Sequence, residues 1–221
     1  MTTMRRYEWE TKIESKIHTL VNHFVRKPSN YFTESDIHSY LYLAFYRDKT
    51  FSSQFPTANP IEKTVLIHRE YPTFFKYDKE IPIVPREEAK SRGHYDFVVL
   101  NPRFVESYPL SIVTNKDYHL LPKEFKYKPV IAAIEFKYII RRIDRNMLRN
   151  IEIDFQKLQV SIPYSSVRYV LIFNSFGAVG EKIGEIERMK RENPGVKVVY
   201  AEAWYEGDNK KSNRKFWLEE S

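Results

Sequence analysis

Two periods alternate along the chain. From Tyr7 to Arg26 apolar residues recur every three or four positions, at Ile13, Ile17, Leu20, Val21 and Phe24. That spacing predicts an amphipathic helix, and "KP" ends it. A second helix opens at "TESD", with Thr33 as N-cap, Asp36 three residues on, and Ile37, Leu41, Ala44 and Phe45 as its stripe to about Arg47. The period then shortens. "KTVLIHREYPT" reads as strand until Pro72, and "GHYDFVVLNP" as a strand ended by Asn-Pro. After a proline- and tyrosine-rich excursion over residues 101–129 comes the strand "VIAAIEFKYII", 130–140. A helix over 142–160, the buried strand "VRYVLIFN", the helix "GEKIGEIERMKREN" and the strand "GVKVVYAEAW" follow. Residues 205–221 read as a polar, basic tail that frays unless Phe216 and Trp217 dock it. Strands separated by helices imply crossovers, so the expectation is an α/β chain with a mixed sheet and helices on both faces. One domain over 1–221 is expected, with 1–29 a helical extension.

One strand breaks its own pattern. "VIAAIEFKYII" is built for a core, yet it carries Glu135 and Lys137. Side chains alternate faces along a strand, so these two point the same way, with Cα atoms about 6.6 Å apart. Ile134, Phe136 and Tyr138 point the other way, toward a helix layer. Glu-x-Lys on a solvated edge is a weak ion pair, but a strand this apolar does not hide two charges without a reason. Asp96 sits in the preceding strand. If the two strands are neighbours, Asp96, Glu135 and the carbonyl between Glu135 and Lys137 make a hard oxygen site suited to Mg²⁺ or Mn²⁺. A lysine beside it can orient or deprotonate a water and steady charge on a phosphate.

Helical geometry adds candidates. At about 100° per residue, Glu34 falls inside the arc of Ile37, Leu41 and Phe45, and so faces inward or else answers the helix dipole; Asp36 reads as a cap. On the 142–160 helix, Asp154 lies in the apolar arc and Lys157 borders it, where an i,i+3 ion pair along the helix edge is the plainer account. Glu70 in "HREYPT" faces the site or pairs with a nearby arginine. His68 and His94 read as strand residues with local hydrogen bonds. No Gly-x-Ser-x-Gly turn supports a nucleophile triad.

Composition narrows the classes. The formal net charge is +7 and the pI near 9.3, which favours polyanionic partners through counterion release, with solubility alone as the other account. Arg141, Arg142, Arg145 and Arg149, and separately Lys210, Lys211, Arg214 and Lys215, could follow a phosphate backbone or form solvated faces. Six glycines and no glycine-rich loop disfavour a nucleotide cradle. Absent cysteines exclude disulfides and fit a reducing, cytoplasmic setting, and the charged N-terminus lacks an apolar signal core. No apolar run reaches the roughly 18 residues of a membrane span.

Glu34 on a leading helix, Asp96 on one strand, "EFK" at 135–137 on the next and a following helix resemble the PD-(D/E)XK nuclease superfamily. "FTESDIHSYLY", "HREYPT" and "IEFKY…DFQKL" also resemble its archaeal and bacterial members, over roughly residues 30–175. "HYD" stands in place of "PD", and the stretch between Asp96 and Glu135 is long. The resemblance implies a restriction-endonuclease-like α/β/α sandwich with an αβββαβ core, an extra N-terminal helix and a C-terminal αβ unit. It implies a divalent-metal-dependent nuclease acting on DNA ahead of RNA. Asp96 and Glu135 would bind Mg²⁺ or Mn²⁺, Lys137 would be the catalytic lysine, and Glu34 would match a frequent helix carboxylate. A homodimer is compatible with it. Two alternatives stay open: a nucleic-acid-binding protein of the same fold without catalysis, and a structural or partner-binding protein whose charges are surface pairs.

Overall fold

The computed structural model describes residues 5–89, 91–176, 182–206 and 209–218. The N-terminal third holds α1 (Arg6–Arg26), α2 (Glu34–Tyr46), α3 (Lys49–Ser52), and a small hairpin of β1 (Phe55–Pro56) and β2 (Lys63–Thr64). The long strands β3 (Ile67–Lys76) and β4 (Arg92–Leu100) follow, then the short helices α4 (Pro102–Ser107) and α5 (Leu110–Val113). The rest runs β5 (Val130–Ile139), α6 (Arg145–Val160), β6 (Ser165–Asn174), α7 (Ile183–Glu192), β7 (Lys197–Glu206) and β8 (Asn209–Leu218).

Strands β3 to β8 form one six-stranded sheet in chain order. Pairing is antiparallel from β3 through β5, parallel from β5 through β7, and antiparallel again at β8. The mixed α/β sheet is thus as expected. Parallel neighbours cannot be joined by a tight turn, and α6 and α7 supply the crossovers. Alternate residues of β5 show the layering. Phe136 lies against His38 of α2 and Tyr138 against Phe24 of α1, while Glu135 and Lys137 reach Lys157 and Asp154 of α6. Ile13, Ile17, Leu20 and Phe24 of α1 are fully buried in the same apolar cluster as Val130–Ile134 of β5.

Local chemistry sets several boundaries. α2 starts where expected, because the Asp36 carboxylate accepts from the Thr33 and Phe32 amides, both at 2.8 Å. α6 starts at Arg145 and not at 142, because Asp144 caps it by accepting from the Met147 amide at 2.8 Å. β3 does not stop at Pro72 but continues to Lys76, with a register shift beyond Pro72. β3 is an outer strand, where a residue without an amide donor is tolerated. The segment expected as a tail contributes β8, which pairs residues 209–218 with β7 and covers an edge that β7 would otherwise present. The side chains of Phe216 and Trp217, and of Lys210, Lys211, Arg214 and Lys215, lie outside the described residues, as do positions 180 and 181 of the expected penultimate helix. Among the described residues no helix is long and apolar enough to cross a membrane.

Candidate functional site

β4 and β5 pair as far as Phe97 and Ile134, and there they part. Upstream of Phe97, β4 is paired only with β3; downstream of Ile134, β5 is paired only with β6. The result is a fork in the sheet. Amides alternate between the two edges of a strand, so those of Phe136 and Tyr138 face the fork with no strand to receive them. Buried amides demand acceptors. The Asp96 carboxylate accepts from the Phe136 amide at 2.7 Å, and the Glu34 carboxylate, from the first turn of α2, accepts from the Tyr138 amide at 3.1 Å. The Phe136 carbonyl, on the same edge, accepts from Lys137 Nζ at 2.8 Å. Two side-chain anions and one cation therefore take the place of a missing strand.

α6 closes the fork from the face that carries Glu135 and Lys137. Asp154 Oδ2 stands 2.6 Å from Lys137 Nζ, and Lys157 Nζ stands 2.6 Å from Glu135 Oε2. Lys157 also donates to the His94 carbonyl at 2.9 Å. Asp154 and Lys157 do lie 3.6 Å apart as an i,i+3 pair, but that contact is secondary to their hold on β5. Both are buried, so the edge-pair account of them falls short. Gly93 is required nearby: a Cβ there would collide with the Tyr77 ring, whose hydroxyl end feels both Lys157 and Glu135.

Acidic side chains outnumber basic ones here. Glu34, Asp96, Glu135 and Asp154 bring four carboxyl groups against the ammonium groups of Lys137 and Lys157 at a largely buried place, with Arg69 acting on His38 from its exposed position on β3. Burial pushes the Glu34 carboxyl above its ordinary range; Lys137 opposes this and Asp96 adds to it. Burial, and then the Asp96 charge, push Glu135 well up, with Lys157 pulling the other way. Burial alone would lower both lysines. Asp154 and Glu34 raise Lys137, and Glu135 and Asp154 raise Lys157, so both stay protonated at neutral pH. His38, one helical turn after Glu34, is pulled down by burial and is therefore neutral, and its Nε2 is buried without a partner.

One ligand atom each from Glu34, His38 and Asp96 lie within 4.8 Å of one another. Two carboxylates and a neutral imidazole are a donor set for a divalent cation, and the orphaned His38 nitrogen fits one. Glu135 is not in that trio. One of its oxygens is held by Lys157, and Oε1 is buried without a partner. Glu34, Asp96, Glu135, Lys137, Asp154 and Lys157, the candidates that sequence spacing offers, all meet here, and His38, which it does not offer, joins them. The i,i+4 spacing of His38 from Glu34 was the available signal. Glu70 is exposed on β3 in left-handed backbone, with neither a role in the trio nor an arginine partner among the described residues. His68 makes the expected local bond, with Nε2 3.0 Å from the Val65 carbonyl. Arg141 and Arg142 follow β5, and Arg145 and Arg149 occupy the first turns of α6; all four are exposed.

No family model matches the chain, and no curated protein or solved structure matches it either.

Proposed function

We propose that the chain is a divalent-metal-dependent nuclease that hydrolyses phosphodiester bonds in DNA, with its centre in the fork between β4 and β5. The observation that carries this reading is the cluster of Glu34, His38 and Asp96 at a vacated strand edge, with Lys137 beside it. Glu34, Asp96 and His38 would hold Mg²⁺ or Mn²⁺, and Glu135 is within electrostatic reach of Asp96. Such an ion supplies Lewis acidity toward a phosphoryl oxygen and lowers the pKa of water.

The chain's own residues do the rest. Asp96 and Glu34 are fixed by the Phe136 and Tyr138 amides, so they are preorganised before a ligand arrives. Lys137 stays protonated, which makes it a donor of charge to a phosphate and not the base that removes a water proton. In the reaction, a water oxygen bonds to phosphorus and gives up a proton to solvent, one P–O ester bond breaks, and the departing alkoxide takes a proton from solvent. Lys137 stabilises the charge that builds on the phosphate oxygens meanwhile, an effect that acts in the transition state more than in binding.

The non-catalytic alternative draws on one observation: Glu135 and Lys137 are each tied to α6, which leaves the centre internally paired. A single experiment separates the two. Single-stranded, duplex and branched DNA are incubated with the protein in Mg²⁺ and Mn²⁺ under single-turnover conditions. Wild type should cleave at least one. Asp96→Asn and Lys137→Met should each lose roughly 10²- to 10³-fold in rate, the size of one preorganised electrostatic group. They should retain most DNA affinity. Absence of cleavage by wild type on every substrate and in both metals would leave only the binding reading.

A further inference from the structure

At the mouth of the fork the surface is apolar where it should be polar. Phe32, two residues before Glu34, is 77% exposed; Ile140, just past β5, is 56% exposed; Phe176, just past β6, is 43% exposed. The aromatic residues immediately inside, Phe24, Phe136 and Phe173, are fully buried. The two exposed rings are carried on pinned backbone. The Phe32 amide donates to Asp36 at 2.8 Å, and the preceding Tyr31 carbonyl accepts from the Tyr138 hydroxyl at 2.6 Å. The Phe176 amide donates to Asn174 Oδ1 at 2.8 Å, and the Ser175 amide donates to the Ile139 carbonyl at 2.8 Å. β5 and β6 are in register at Ile139 and Asn174, so Ile140 and Phe176 follow the same end of two neighbouring strands. Arg141 and Arg142 follow directly, exposed and without ion-pair partners among the described residues, and Arg145 opens α6 beyond them.

Exposed rings on hydrogen-bonded backbone, followed by guanidinium groups without ion-pair partners among the described residues, match one class of polyanion. Nucleobases stack on aromatic faces whatever their identity, and the phosphates between them meet arginines. A base inside an intact duplex has both faces covered by its neighbours and cannot use Phe32 or Phe176. A purely apolar protein partner would cover the rings but leave Arg141, Arg142 and Arg145 without counter-charges. Building on the proposed nuclease, we infer that Phe32 and Phe176 stack unpaired bases next to the scissile phosphate, with Arg141 and Arg142 on the flanking backbone, so the substrate is DNA whose bases are unpaired near the cut.

The test uses the full chain without divalent metal, so that nothing is cut. Fluorescence anisotropy follows binding of labelled oligo(dT) and of a blunt duplex of the same length. Phe32→Ala and Phe176→Ala should each weaken oligo(dT) binding about tenfold, within the range of a lost base–aromatic stack, and leave duplex binding unchanged. The salt dependence should not move in these variants. Arg141→Gln should weaken both ligands and reduce the log–log salt slope by roughly 0.7 on the single strand and 0.9 on the duplex. Equal losses on both ligands in the phenylalanine variants, no loss on either, or a wild type that binds neither would overturn the inference. Loss of self-association in the same variants, by sedimentation, with DNA binding intact would overturn it in favour of a second copy of the chain. The two readings fail separately. Wild type that binds oligo(dT) through Phe32 but cuts nothing in any metal sinks the nuclease and keeps the stacking site. Wild type that cuts duplex best, with no effect of the phenylalanine variants on binding, does the reverse.

Discussion

The two halves of β5 are both buried, Lys137 alone being half-buried, and they are chemically opposite. From Val130 to Ile134 every side chain is apolar, and the strand is paired on both edges, as at Ile134, which faces Phe97 on one side and Tyr169 on the other. From Glu135 to Ile139 the strand is paired on one edge alone, and the other is met by Asp96, Glu34 and Lys137. Exposure does not change where the chemistry does: Ile134 is 0% exposed and Glu135 1%. What changes is the departure of β4. A vacated edge leaves amides and a carbonyl that must be satisfied, and charged side chains satisfy them at the cost of their own desolvation. The charges in this strand therefore mark where its neighbour leaves.

The largest stability effect should come from breaking the pairing that makes the second half tolerable. Lys157 is the direct partner of Glu135, and both are buried. Lys157→Met leaves a buried carboxylate with Asp96 and Asp154 as like-charged neighbours, so it should cost about 3 to 5 kcal/mol at pH 8. Adding Glu135→Gln to it should recover most of that loss, because the uncompensated charge is gone. Urea unfolding of the two single variants and the double variant gives the cycle. Additive losses would mean that Lys157 contributes packing and its bond to His94, and not charge balance.

A smaller effect should appear in the pH dependence, and its sign follows from the direction of the shifts. Glu34 and Glu135 are raised in the folded chain, so the folded state holds their protons more tightly than the unfolded state does. Their contribution is complete below the unfolded carboxylate value of about 4.3 and is lost as pH rises through the higher folded values. Asp48 is the opposite case. Burial opposes its charge, but Lys16 and the Thr50 amide hold it down to about 2. Its contribution is complete above about 3.9 and is lost as pH falls toward 2. In the absence of divalent metal, the urea midpoint should therefore rise from pH 8 to pH 5 and then fall in stronger acid. Glu34→Gln should flatten the upper limb and leave the lower one. An upper limb that stays level in wild type would mean that the carboxylates of the fork are ionised without strain.

Most of this contrast was legible in the sequence, for identifiable reasons. The helix stripes of α1 and α2, the capping residues at Thr33 and Asp36, and the alternation that put Glu135 and Lys137 on one face all depend on local spacing. Asp154 and Lys157 were placed on an inward arc by the same rule, but their hold on β5 spans 17 to 22 positions and only the fold reveals it. His38 was missed because a buried histidine on an apolar helix reads as core; its meaning comes from Asp96, 58 positions away. β8 was missed because its residues are polar and basic, and a strand that pairs on one edge needs no apolar run. The continuation of β3 through Pro72 depended on its being outermost, which topology decides and composition does not.

The smallest effect sharpens the contrast from outside. Arg188 on α7 contacts three carboxylates, Glu152, Glu185 and Glu192, the last at 2.7 Å. By distance alone it resembles the contact of Lys137 with Asp154 at 2.6 Å. The Arg188 side chain is 40% exposed, against 20% for Lys137 and 8% for Asp154. Water screens the first set of charges and hydrates whatever remains when one is removed, so no stranded ion results. Arg188→Gln should change stability by no more than about 0.5 kcal/mol, and the change should shrink further in molar salt. DNA cleavage should be untouched, since the ion-pair partners of Arg188 among the described residues, Glu152, Glu185 and Glu192, are not residues of the fork. Urea unfolding at low and high salt measures the first claim and the cleavage assay the second. If Arg188→Gln proved as costly as Lys157→Met, burial would not be what separates the two kinds of ion pair, and the account of the fork as a desolvated, charge-counted site would lose its physical basis.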